Sequence, residues 1–177
     1  MKVYFTSDTH WGHKRIIEHS HRPFSSVEEM DDILIQNWNK VVRPNDTIYH
    51  LGDFNFRSIR TTDDYLTYLN GHIHIVWGNH DDQFAKKYKH RFASYCDAKY
   101  LRLNGEKITL YHYPQRAWRF SQHGGWHLFG HCHGSLPNLG RSMDVGVDCW
   151  NYTPASFEEI EAYMVKQEVT LHHPVKV

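Results

Sequence analysis

Five short motifs carry residue types that bind metals and move protons: Asp8-Thr9-His10, Gly52-Asp53, Gly78-Asn79-His80-Asp81, His112 and Gly130-His131-Cys132-His133. Carboxylate, imidazole and amide donors in one set suit first-row transition metals better than Mg²⁺ or Ca²⁺. Asp8 and His10 are two residues apart, so on an extended chain both side chains project to one side. His131 and His133 repeat that spacing, with Cys132 facing away. Gly52, Gly78 and Gly130 allow the tight backbone that would aim a ligand out of a sheet edge. Each motif alone is common. The ordered set, with every member just after a strand signal, is specific.

These side chains need elements to hold them. Lys2–Thr6 reads as a short buried strand. Ser25 with Glu28, and Ser26 with Glu29, form overlapping capping-box patterns. Met30, Ile33, Leu34, Trp38 and Val41 then keep helical spacing up to Pro44. Thr47–Leu51 reads as a second strand, Thr61–Leu69 as a helix and His72–Trp77 as a third strand. This alternation predicts an α/β sheet with parallel pairs, in which function lies at the carboxyl ends of the strands. Further on, Asn104-Gly105 between Tyr100–Leu103 and Lys107–His112 signals a hairpin with a type I′ turn. Trp126–Gly130 and Ser142–Val147 read as strands, and Ser156 with Glu159 caps a helix to about Val165. Val169–His172 reads as a last edge strand. The sum is two sheets packed face to face with helices outside and an antiparallel second half.

Composition narrows the function classes. A chain of 177 residues predicts one domain over 1–177. Lys+Arg and Asp+Glu both number 20, which excludes a strongly basic nucleic-acid coat and an acidic tail. No apolar run approaches the roughly 18–20 residues of a membrane span. The N-terminus turns polar too soon for a signal peptide. Cys96, Cys132 and Cys149 form no CxxC and no even set, which points to a reducing, cytoplasmic setting. The unusual number is 16 histidines, and their positions supply the reason.

The ordered set resembles the calcineurin-like metallophosphoesterase superfamily, whose pattern is DxH, GD, GNH[DE], H, GHxH. Gly146-Val147-Asp148 followed by Pro154 is similar to the closing segment of its small bacterial and phage-type members. The resemblance implies an α/β fold, a four-layer α/β/β/α sandwich with two mixed β-sheets. It implies two divalent metal ions, Mn²⁺ foremost, with Fe, Zn and Ni also compatible with the donors. Asp8, His10 and His133 would hold the first, Asn79, His112 and His131 the second, and Asp53 would bridge them. His80 would be the catalytic histidine, and Asp81 would be structural. The implied reaction is hydrolysis of a phosphate ester by in-line attack of a metal-bridging hydroxide, with His80 assisting the leaving group.

The pattern is departed from at one place. Protein phosphatases of the superfamily continue the second motif as GDxxDRG, whereas here Phe56 stands where the acid that pairs with the catalytic histidine would be. Arg57 remains where a phosphate-contacting arginine would sit. The expectation is therefore a phosphodiesterase on small nucleotides or similar diesters. A nuclease on DNA or RNA ends is the alternative, and a non-catalytic scaffold on the same fold, as in the retromer, a lesser one. His13, Arg57 and Arg116 are the candidate substrate contacts. Arg116 lies in a loop with Trp118, Arg119 and Phe120, a composition that can grip phosphate and stack a base. Trp150 and Tyr152 would wall a pocket or pack the core. No membrane partner is expected, and the oligomeric state is open.

Overall fold

A computed structural model describes residues 1–169. The regular elements, in chain order, are β1 (Val3–Thr6), α1 (Lys14–His19), α2 (Val27–Val41), β2 (Thr47–His50), α3 (Thr62–Tyr68), β3 (His72–Val76), α4 (Asp82–Tyr88), β4 (Ser94–Cys96), β5 (Ala98–Leu103), β6 (Glu106–Tyr111), β7 (Trp126–Phe129), β8 (Ser142–Asp144), β9 (Ala155–Ser156) and α5 (Phe157–Met164). The proposed strand at Val169–His172 runs outside the described residues.

Helices α2, α3 and α5 start where the sequence supplies an oxygen for the free N–H groups of the first turn. Ser26 accepts from the Glu29 N–H of α2. Thr61 with Asp64, and Ser156 with Glu159, form complete capping boxes on α3 and α5. Met30, Leu34 and Trp38 then line one buried stripe of α2. In the hairpin between β5 and β6, Asn104 and Gly105 have φ of 50° and 89°, the left-handed pair that a type I′ turn requires.

One sheet has the order β4-β3-β2-β1-β9 and the other β5-β6-β7-β8. β1, β2, β3 and β4 pair in parallel, and β9 joins β1 antiparallel. Successive residues of β1 separate two apolar clusters. Tyr4 faces Trp38, Ile48, Tyr65 and Phe84 beneath the helices, whereas Phe5 faces Leu110, Trp126 and Leu128 between the sheets. Phe157, Ile160 and Met164 of α5 join the second cluster. Both sheets are mixed, as expected for the fold.

The antiparallel second half is a correction. Within the second sheet the β5–β6 hairpin alone is antiparallel, and β6–β7 and β7–β8 are parallel. A tight turn cannot join parallel strands, so residues 112–125 cross over the sheet instead. That crossover covers the outer face of β7: Trp118 is buried, donates to Gly125 O (2.7 Å) and packs 5.5 Å from the His127 ring. The parallel pairing matters, because it delivers the carboxyl ends of β6, β7 and β8 to the edge where β1, β2 and β3 also end. A bridge between Ser7 and Gly146 ties the two sheets together there.

His127 makes folding sensitive to acid. It is fully buried, donates from Nδ1 to Thr109 O (3.2 Å) and accepts at Nε2 from the Gln115 N–H (3.1 Å), so both nitrogens are engaged only when the ring is neutral. Burial pushes its pKa down from 6.5 to about 4. The unfolded chain takes up this proton below pH 6.5 and the native state does not, so stability is complete above 6.5 and falls as pH drops toward 4. At about 1.4 kcal/mol per pH unit the loss amounts to about 3 kcal/mol. Urea midpoints followed from pH 7 to 4.5 are expected to drop more steeply for wild type than for His127→Gln. Equal slopes would show that His127 titrates normally.

Candidate metal centre

The loops after β1, β2, β3, β6 and β7 meet at one edge. The β1 loop continues beside the β2 loop through Asp8 N–H to Gly52 O (3.0 Å) and His10 N–H to Asp53 O (3.0 Å). Gly130 N–H donates to His112 O (2.9 Å) and closes the other side. Asp81 fixes the base: its carboxylate accepts from the N–H groups of Gly78, Asp53 and Phe54 at 2.7, 3.0 and 2.9 Å. Gly130 and Gly78 are required by close approach. A Cβ on Gly130 would overlap Ser7 Oγ and Asp8 Oδ2, and one on Gly78 would overlap Asp53 Oδ1.

The side chains do not converge by strand alternation. Asp8, His10, Asp53, His131 and His133 have φ of 57°, 51°, 54°, 70° and 48°. The chain has left the extended conformation at each of them, which corrects the expectation that two-residue spacing on an extended segment aligns them. Asp and His tolerate the left-handed region better than most residues, yet each such residue costs about 1–2 kcal/mol.

Two groups of donors result. Asp8, His10 and His133 offer atoms within 4.8 Å of one another, and Asp53, His112 and His131 do the same. Asp53 faces both groups. Its Oδ1 accepts from the His80 N–H (2.9 Å), and its Oδ2 points at Nε2 of His112 (3.5 Å), His10 (3.6 Å) and His80 (4.0 Å). Asn79 Oδ1 is 3.1 Å from His112 Nε2. His112 donates from Nδ1 to Leu51 O (2.7 Å), which leaves its Nε2 directed at two oxygens.

This arrangement fits cations. Asp8 Oδ2 accepts from the His131 N–H (2.9 Å), while its Oδ1 is buried without a partner, as are both ring nitrogens of His10. Buried polar atoms are ordinarily satisfied, and lone pairs aimed at one point are satisfied by a positive ion. With protons alone the same logic shows in the titration. Burial opposes charge on His112, but its bond to Asp53 and the Asp8 and Asp53 charges lift its pKa to about 9. Burial also opposes charge on Asp53, but His112 and His10 hold it well below the carboxylate range.

Behind His133 lies a buried relay. His133 Nδ1 donates to Asp148 Oδ2 (2.7 Å), which leaves Nε2 for a cation. Arg22 grips Asp148 with both arms, Nε to Oδ1 (2.8 Å) and Nη2 to Oδ2 (2.9 Å). The same guanidinium donates to Asp8 O (2.7 Å) and Thr9 O (3.0 Å), so it braces the first motif. Sequence reasoning missed Arg22, which sits in an irregular segment with no motif around it. Asp148 was visible only as part of Gly146-Val147-Asp148.

Residues 1–136 match the sequence profile of the calcineurin-like phosphoesterase superfamily domain. The chain belongs to that superfamily. It is 36% identical to an uncharacterized protein of Methanocaldococcus jannaschii, over 95% of this chain and 94% of that one. It is 28% identical to the gene 66 protein of Mycobacterium phage L5, over 84% and 87%. A crystal structure of a protein of unknown function from Aquifex aeolicus superposes with a TM-score of 0.73 at 28% identity, covering 92% of this chain and 98% of that chain.

A cavity of about 510 Å³ opens beside the donor groups. His13, Arg57 and His80 line it, and Arg116 does not. Arg116 is exposed on the 112–125 crossover, whose aromatics serve packing: Trp118 is buried, and Arg119 stacks on Tyr100 (4.9 Å) and Phe120 (4.8 Å). Trp150 and Tyr152 do not line it either. Trp150 donates to Asp144 O (3.0 Å), and Tyr152 packs 4.8 Å from the Phe24 ring. Phe56 lies 4.3 Å from the His80 ring, so an apolar ring stands where the related phosphatases have an acid. His13 precedes α1 and its ring is 4.8 Å from Phe56. Burial pushes it to about 4, and His80, His19, Arg22 and Arg15 act in the same direction, so it is neutral at pH 7. Among the described residues no helix is long and apolar enough to cross a membrane.

Proposed function

We propose that the chain is a single-domain phosphoesterase with two divalent ions, Mn²⁺ foremost, that prefers phosphodiesters. The observation that carries the reading is Asp53 Oδ2, which faces His10 of one donor group and His112 of the other at 3.6 and 3.5 Å. A carboxylate shared in this way suits two ions about 3.5–4 Å apart. Bound there, the ions would supply Lewis acidity toward phosphate oxygens and toward the attacking water. Asp8, His10 and His133 would hold one, and Asn79, His112 and His131 the other. His80 is about one-third exposed at the cavity, where it can give a proton to the departing ester oxygen. No acid stands beside it in the place of Phe56, which separates this site from that of the phosphoprotein phosphatases.

The test compares an aryl phosphodiester with its monoester, with and without Mn²⁺, at pH 7–9. Faster metal-dependent turnover of the diester is expected. Faster monoester turnover would move the protein to the phosphomonoesterases, and silence on both with metal bound would turn attention to a scaffold role. Asp53→Ala is expected to lower metal content from roughly two ions per chain to below one and to abolish turnover. Full metal content in that variant would remove Asp53 from the bridging position.

A further inference from the structure

The metal centre occupies one end of a cavity large enough for a nucleotide-sized ligand. The remaining wall comes from α1, which presents Lys14, Arg15 and His19, and from Arg57 in the loop after β2. The chain carries equal numbers of acidic and basic residues, yet Asp53 is the only acid among the described lining residues, and it belongs to the donor cluster. Among the described residues, Lys14, Arg15 and Arg57 form no salt bridge. Packing does not explain α1 either, since Ile16 is its one buried residue.

We propose that this wall binds a second phosphate group, so that the substrate class is a phosphate ester carrying at least two phosphates. The inference rests on the phosphodiesterase reading for the scissile group and adds what lies beside it. Uncompensated cations around a concave surface focus their field on an anion inside it. Recognition is by charge and not by base. Phe56, the one Phe, Tyr or Trp among the described lining residues, is crowded by the His80 ring at 4.3 Å, the His13 ring at 4.8 Å and the Arg57 guanidinium at 5.1 Å.

Two measurements test the proposal. In calorimetric titrations of the Mn²⁺-loaded protein, thymidine 3′,5′-bisphosphate should bind at least ~10-fold tighter than thymidine 5′-monophosphate, a difference of about 1.4 kcal/mol. The Lys14→Ala/Arg15→Ala double variant should bring the two to near parity, and adenine in place of thymine should leave the wild-type ratio unchanged. Parity in wild type, or an unchanged ratio in the double variant, overturns the inference. Hydrolysis of thymidylyl-thymidine with and without a terminal phosphate supplies the second reading. A rate gain from the terminal phosphate that disappears in the double variant supports the proposal, and equal rates in wild type overturn it. If no diester is cleaved yet the bisphosphate preference holds, the phosphodiesterase reading fails and the anion wall stands.

Discussion

His80→Ala is expected to slow phosphodiester hydrolysis by roughly 10²–10⁴-fold, the range of general acid assistance, with metal content unchanged. The structure separates the two effects because Asp53 Oδ1 is held by the His80 backbone N–H, which alanine retains. The imidazole stands 4.0 Å from Asp53 Oδ2, beyond hydrogen-bond reach, and is about one-third exposed to the cavity. Leaving-group dependence sharpens the prediction. A nitrophenyl diester, whose leaving oxygen needs little protonation, should suffer less than an alkyl diester. Equal losses on both would remove the acid role, and loss of metal would make His80 a ligand.

Asp148→Ala is expected to strike binding and stability together. Its carboxylate accepts the His133 Nδ1–H, and such partners of metal-binding histidines are worth about 10–100-fold in metal affinity. Among the described residues it is also the only acid on Arg22, whose side chain is fully buried. Leaving a buried charge unpaired costs about 3–5 kcal/mol, which in a domain of this length lowers Tm by about 6–20 °C. The double variant Arg22→Met/Asp148→Ala removes the unpaired charge, so it should regain part of the stability but none of the metal affinity. Recovery of both would mean that Asp148 acts only through Arg22. An undiminished Tm in the single variant would mean that the ion pair contributes nothing net.

The elements that position the site were legible wherever a local rule governs them. Ser26, Thr61 and Ser156 announce helix starts, and Asn104-Gly105 announces the hairpin, because caps and turns depend on a few adjacent residues. β4 and α4 were missed. β4 is three residues long with no buried position, and α4 has one buried residue, Phe84, so neither carries a periodic signal. The direction of β7 was misread because strand pairing is decided by tertiary connection, not by local pattern. The motif residues do gather at one edge, yet their left-handed backbone was invisible, since Asp and His are ordinary in many conformations. Arg22 and Asp31 were invisible for a related reason. Asp31 sits on the buried stripe of α2, where it accepts from the Gly12 N–H (3.0 Å) and the Tyr65 hydroxyl (2.7 Å). Nothing local distinguishes such a carboxylate from a surface acid.

The left-handed donor loops bear on transplantation. A designer who copied the five motifs onto another sandwich would import side chains whose backbone relaxes to ordinary conformations once the anchors are left behind. The transferable unit is larger than the motifs. It must include Arg22 and Asp148 bracing the first loop, Asp81 under the second and third, and the Ser7–Gly146 bridge between the sheets. A graft restricted to the motif residues would hold the donor list and lose the donor geometry.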